Sequence, residues 1–209
     1  EGRKMWGNLV NSSRNIALKV DAILSLDYEQ NKKFTGRLLS RFAHELHLHL
    51  RREITRTSLD DQPHEEIPGL DRKKHVPLQI AGLLQKEIQH LYRQQLITGD
   101  QLLGLNSDVN ALMDICGACE RIKNTPIPYS YSSFIKKFVA IYVLTLPFGY
   151  VFSLGYIAIP VVMFIFYVLA SLELIAEEIE DPFGDDVNDL PMHKLAETIQ
   201  ENITAILGK

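Results

Sequence analysis

Between Phe138 and Leu172 the chain contains no Asp, Glu, Lys, Arg or His, and this charge-free run of 35 residues limits the possible folds more than any other feature. As one α-helix it would reach roughly 52 Å at about 1.5 Å per residue. A hydrocarbon core is only about 30 Å thick. The run therefore divides. Pro147-Phe148-Gly149 through Ser153-Leu154-Gly155 supply the break, and with the first arm beginning near Tyr129 the spacing predicts two spans of about 20 residues each. Both arms must be helical, because lipid offers no partner for a free backbone N–H or C=O. A transmembrane hairpin over residues 129–178 follows, with Pro160 inside the second arm, where a kink is tolerable because neighbouring helices can satisfy the freed carbonyl.

Arg121 and Lys123 precede the first arm, Lys136 and Lys137 lie about two turns into it ahead of the charge-free run, and the turn has no Lys or Arg. The positive-inside rule then places both ends in the cytoplasm. Lys136 and Lys137 are expected to snorkel to the interface, with a watery lumen as the alternative. The reading is a multi-pass protein of the cell (inner) membrane, with lipid as a partner and most of this chain cytoplasmic. Net charge is −4, so there is no basic footprint for a phosphate backbone and nucleic acid is excluded as a partner.

The remaining residues read as helices. Leu9, Val10, Ile16, Ala17, Val20, Ile23 and Leu24 recur at helical spacing in a first helix that starts at or before residue 1. Phe34, Leu38, Phe42, Leu46 and Leu50 repeat every four residues and predict a second helix to about Arg56. Residues 57–76 read as a surface loop, broken by Pro63 and Pro68-Gly69. A third helix is predicted from Pro77 to Leu96, and a fourth after Thr98-Gly99-Asp100 to about Lys123. Thr125-Pro126-Ile127-Pro128 ends the fourth. A final helix is predicted over Leu190 to Leu207. No signal peptide is visible, and the start reads as internal.

Three clusters bear on chemistry. Cys116-Gly117-Ala118-Cys119 has the C-x-x-C spacing of a redox pair, but it falls late in a helix with no strand before it and no second pair for zinc. The plain reading is small residues packing a helix, with reduced thiols in a cytosolic setting. His44-Glu45-Leu46-His47-Leu48-His49 lacks the i, i+4 histidines of a zincin helix and is expected to be a solvated face, so no metal is assigned there. The acidic run from Glu177 to Asp189 could offer several oxygens to a hard cation around Pro182-Phe183-Gly184, yet it lacks the EF-hand order. Acidic residues ahead of a helix also complement its N-terminal dipole.

Several strings taken together resemble the bestrophin family in its prokaryotic branch. They are Trp6-Gly7 with Leu9-Val10-Asn11-Ser12-Ser13-Arg14, Cys116-Gly117-Ala118-Cys119-Glu120-Arg121-Ile122 leading to Thr125-Pro126-Ile127-Pro128-Tyr129, and Asp181-Pro182-Phe183-Gly184 with Asp185, Asp186 and Asp189. The resemblance implies a homopentamer with four spans per subunit and a long cytosolic extension, conducting small monovalent ions. In animal members calcium sits in a clasp. Its two carboxylate donors fall on Asp186 and Asp189, and its two main-chain carbonyl donors on Glu178 and Asp181. Val187 and Asn188 depart from that pattern, where acidic residues would continue the run. A further donor comes from the family's N-terminal end, outside this chain. No cofactor is otherwise required. The family's first two spans precede the Glu1-Gly2-Arg3-Lys4 segment and the second carries the pore neck, so the neck is absent from this chain. The cytosolic aperture would fall near Leu96 to Gln101.

The expectation is an all-α integral-membrane channel subunit. Residues 1–128 form a cytosolic helical region whose first helix continues from a missing transmembrane span, 129–178 the hairpin, and 179–209 the acidic loop and C-terminal helix. The resemblance favours an anion channel passing chloride. A monovalent cation (sodium) channel and a non-conducting membrane-anchored interaction or sensor protein are the alternatives. A thiol or metal enzyme at Cys116 and Cys119 ranks last, and no catalytic residue is assigned.

Overall fold

A computed structural model of the chain describes residues 1–51, 70–71, 74–184 and 188–208. It contains seven α-helices among those residues: α1 (Gly2–Ile23), α2 (Glu29–Arg51), α3 (Val76–Arg93), α4 (Gly99–Asn124), α5 (Tyr129–Leu154), α6 (Ala158–Glu180) and α7 (Met192–Leu207). They fall into two units, Glu1–Asn124 with Leu190–Lys209, and Thr125–Asp189. The predicted end of α2 near Arg56 and most of the predicted 57–76 loop lie outside the described residues.

In the first unit, α1 packs on α4 and α7, α2 on α3 and α7, and α3 on α4. Trp6, Leu9, Ile16 and Ala17 of α1, Leu38, Phe42 and Leu46 of α2, Ile80 and Leu84 of α3 and Leu112 of α4 are all fully buried. They share one helical face per element. Each large side chain so buried contributes about 1.5–3 kcal/mol relative to an exposed one. Gly36 sets the closeness of α2 and α7. A Cβ there would stand 3.2 Å from Ile203 Cγ2 and 3.4 Å from Leu207 Cδ1. Polar ties accompany the packing: Lys32 Nζ reaches Asp21 Oδ1 at 2.8 Å, and Lys19 Nζ reaches Asp108 Oδ2 at 2.6 Å.

The α3–α4 connection is a helix stop followed directly by a helix start. Leu96 N–H donates to Leu91 O and Gln95 N–H to Tyr92 O, the paired bonds of a Schellman ending. The residue in the left-handed position is Gln95, at φ 60°, not glycine. Thr98 and Gln101 then form a capping box. Gln101 N–H donates to Thr98 Oγ1, and Thr98 N–H donates back to Gln101 Oε1 at 2.8 Å.

In the second unit a continuous helical segment, Tyr129–Glu180, is long and apolar enough to cross a membrane. It folds back on itself, since α5 and α6 pack together. The reversal lies at Gly155–Ile157, where Gly155 has φ 52° and its N–H closes α5 on Val151 O. The turn thus falls at the far edge of the predicted break. Pro147 sits inside α5, and the backbone reverses where a glycine permits positive φ. Pro160 stands at the start of the second arm. It is the third residue of α6, in a first turn whose N–H groups have no intrahelical partner in any case. Outward faces are apolar: Phe148, Phe152 and Phe164 are exposed, and only Leu146 and Ala158 of the two arms are buried.

Candidate functional site: the hairpin foot, the acidic loop and the histidine cluster

At the open end of the hairpin, Lys136 of α5 lies 3.3 Å from Glu173 Oε1 and 3.2 Å from Glu177 Oε1 of α6. One step beyond, Ile127 N–H donates to Glu180 Oε1 at 2.7 Å. Glu173, Glu177 and Glu180 occupy one face of α6 at helical spacing. Lys136 is therefore ion-paired between the arms. The prolines of Thr125-Pro126-Ile127-Pro128 give the segment an extended entry, which brings the Ile127 amide to α6.

Past α6, Phe183 N–H donates to Asp181 Oδ1 at 3.2 Å, an Asx turn, and Phe183 is buried. A Cβ on Gly184 would stand 2.7 Å from Asp189 Oδ2 and 3.7 Å from Asp181 Oδ2, so both carboxylates flank this glycine. Asn188 Nδ2 donates to Glu178 Oε2 at 3.0 Å. Three of the four residues matched to the clasp, Glu178, Asp181 and Asp189, thus belong to one short loop and the helix end before it. Asp186 lies outside the described residues, as do Asp185 and Val187.

Cys116 and Cys119 are buried and unbridged. Burial, with the Glu120 charge adding to it, pushes each thiol up to about 12. A thiol held protonated there is a poor nucleophile.

The histidine segment is not a solvated face. His47 and Glu45 are buried, with the His47 ring edge-on to His193 of α7 at 5.8 Å between centroids. Arg41 Nη2 holds Glu45 Oε1 at 3.2 Å. Burial, reinforced by the charges of Arg51, His44 and His193, pushes His47 down to about 4. The docking of α7 covers this face, and nothing local to α2 announces it. Beside it, Lys33, Arg37, Arg41 and His44 line a cavity of about 760 Å³ between α2 and α7.

One cluster has no forerunner in the sequence reading. His49 Nε2 of α2 and His75 Nε2 at the N-cap of α3 both contact Glu120 Oε1 of α4, at 2.7 and 2.5 Å. The two imidazoles lie 4.4 Å apart between centroids. Burial pushes the Glu120 carboxyl up, but the hydrogen bonds from His75 and His49 outweigh it and leave the group below the usual carboxylate range. The three residues are widely separated in the chain. Only His75 carries a local sign, standing just before Val76-Pro77 as a helix cap.

Residues 1–205 match the family described as Bacterial/Fungal Bestrophin protein. The chain belongs to the bestrophin family. This bestrophin is 36% identical over 207 residues to a voltage-dependent anion channel-forming protein of Nostoc sp., covering 97% of this chain and 67% of the relative. It is 32% identical over 201 residues to the voltage-dependent anion channel-forming protein YneE of Escherichia coli, covering 96% and 66%. The chain thus spans about two thirds of the length of these curated relatives. Its fold matches a crystal structure of a bacterial bestrophin homologue from Klebsiella pneumoniae with a TM-score of 0.89 at 27% identity, covering all of this chain and 78% of that one. A second crystal structure of the Klebsiella homologue matches at 0.88 and 26%, with the same coverage. The protein is an all-helical membrane protein.

Proposed function

We propose that this bestrophin is a pore-forming subunit that passes small monovalent anions, chloride among them, along the axis of a homopentamer in the cell membrane. The observation that carries this reading is the hairpin of α5 and α6. Phe148, Phe152, Phe164 and most of the other apolar side chains of both arms stand exposed, and contiguous apolar surface of this kind marks a contact with protein or membrane. Lipid and neighbouring copies of the chain are the surroundings that suit such a surface. The names of its relatives as anion channels support the function.

The carboxylates on the inner face of α6 would favour a cation channel if they stood alone. They are engaged instead, Glu173 and Glu177 by Lys136 and Glu180 by the Ile127 amide. On α2, Lys33, Arg37 and Arg41 line one cavity, with Lys33 paired to Glu29 and Arg41 to Glu45, and basic residues gathered in this way raise the local concentration of small anions.

The basic residues Arg121, Lys123, Lys136 and Lys137 support a multi-pass topology with both ends of the hairpin cytoplasmic. On this reading residues 1–128 are the cytosolic region, 129–178 the hairpin, and 179–209 the acidic loop with the last helix. Glu178, Asp181, Asp186 and Asp189 are the equivalents of the animal calcium clasp, the first pair through main-chain carbonyls and the second through carboxylates.

The test is recording from the purified full-length subunit in planar bilayers under a KCl gradient. The anion reading expects unitary currents reversing near the chloride equilibrium potential. Reversal near the potassium potential establishes the cation alternative. Silence under every gradient contradicts both and leaves the non-conducting sensor.

A further inference from the structure

We propose that His49, His75 and Glu120 form a binding site for one divalent cation of the borderline class that imidazole and carboxylate together select, with zinc as the probe. Their ligating atoms all lie within 4.8 Å of one another, and they come from three elements, α2, the α3 N-cap and α4. Two imidazoles and one carboxylate suit zinc and its transition-metal neighbours. Calcium and magnesium want a shell of oxygens that this cluster does not offer. The three side chains are 34%, 30% and 29% exposed, so one side is open to solvent. A site of this kind takes three protein ligands with water in the fourth position, as in open zinc sites.

The cluster must loosen only slightly to admit the ion. Both histidine nitrogens now crowd a single oxygen, Glu120 Oε1, at 2.7 and 2.5 Å. With metal–ligand bonds of about 2.0–2.2 Å in a tetrahedron, neighbouring ligand atoms stand roughly 3.3 Å apart. Side-chain rotation of less than about 1 Å per group covers the difference.

His75 makes the site distinctive. Its Nδ1 accepts the Leu78 N–H at 3.0 Å, so the neutral ring carries its proton on Nε2, facing Glu120. When Nε2 takes the metal, that proton moves to Nδ1 and the ring stays neutral. The Leu78 N–H then loses its acceptor. Metal binding and the N-cap of α3 are mutually exclusive. This is the reverse of the common arrangement in which a ligating histidine donates its other N–H to a carbonyl or carboxylate.

The experiment is zinc titration by isothermal calorimetry into chelator-stripped full chain in detergent, with hydrogen exchange at the start of α3 followed in parallel. The expected result is one zinc per chain, with faster exchange at Leu78 when zinc is bound. His49→Ala and Glu120→Gln should each weaken binding by at least about tenfold, while His193→Ala leaves it unchanged. His75→Asn removes the ligand but keeps a good capping side chain, so it should lose zinc without disturbing the fold. It also stands in if Glu120→Gln fails to fold. Zinc-edge X-ray absorption should find only nitrogen and oxygen neighbours near about 2.0 Å. A sulfur shell near about 2.3 Å, wild-type affinity in both His49→Ala and His75→Asn, or no zinc uptake by the wild-type chain would each overturn the proposal.

Discussion

Lys136 Nζ of the first arm lies 3.2 Å from Glu177 Oε1 of the second, which fixes which turn of α5 faces which turn of α6. The apolar faces alone do not specify that register, because Leu, Ile, Val and Phe pack against one another with little directional preference. A charged pair does specify it.

Lys136→Met and Glu177→Gln are each expected to lower the thermal stability of the protein in detergent. The reversed pair Lys136→Glu with Glu177→Lys should recover most of the loss. A double-mutant cycle on melting temperature measures the coupling, and its absence would mean the contact is incidental.

Gln95 holds a left-handed conformation at φ 60° in the Schellman ending of α3. Glycine adopts that conformation freely, whereas a residue with a Cβ is strained there. Gln95→Gly is expected to stabilise the helical unit by about 1 kcal/mol, visible as a raised unfolding midpoint. A lower midpoint would show that the Gln95 side chain contributes more than its backbone costs.

At Gly36, any side chain meets Ile203 and Leu207 of α7. Gly36→Val should therefore destabilise by about 1–3 kcal/mol, the usual cost of overpacking a tight contact. Denaturant unfolding of the variant checks this.

His47 adds a pH dependence. It is buried in its neutral form, with its pKa pushed down to about 4 from an ordinary 6.5. The unfolded chain therefore binds a proton between those values that the folded chain does not, and stability falls as pH drops through that window. The loss is on the order of 3 kcal/mol at most. His47→Gln should flatten the stability profile between about pH 6.5 and 4. Glu120 acts in the same direction, since its lowered pKa stabilises the fold above the unfolded value and that stabilisation is lost as acid protonates it.

What is local in the structure follows from local signals. Leu38, Phe42 and Leu46 at every fourth position mark the buried face of α2 before any partner is known. Thr98-Gly99-Asp100 marks the α3–α4 break, and the charge-free run marks the hairpin. The exact turn was not legible. Pro147 and Gly155 both break helices in isolation, and a proline within a helix is tolerated where neighbours serve the freed carbonyl. The burial of His47 has no local signal, because it depends on α7, more than a hundred residues on, docking against α2. The contacts among His49, His75 and Glu120 are of the same kind. Three polar residues on three helices look like three separate surface groups until the helices pack. Asp181 and Asp189, eight residues apart in the acidic run, come together on either side of Gly184 in the fold.

Tyr129–Glu180 is expected to enter the bilayer, reverse at Gly155–Ile157 and return to the side it left. Single cysteines introduced by Tyr156→Cys and Tyr129→Cys test it with a membrane-impermeant maleimide on spheroplasts, against an unreactive background because Cys116 and Cys119 are buried. Labelling is expected for the Tyr156→Cys protein on intact spheroplasts and for the Tyr129→Cys protein only after permeabilisation. Labelling of both only after lysis, or recovery of the protein in the soluble fraction, would contradict it.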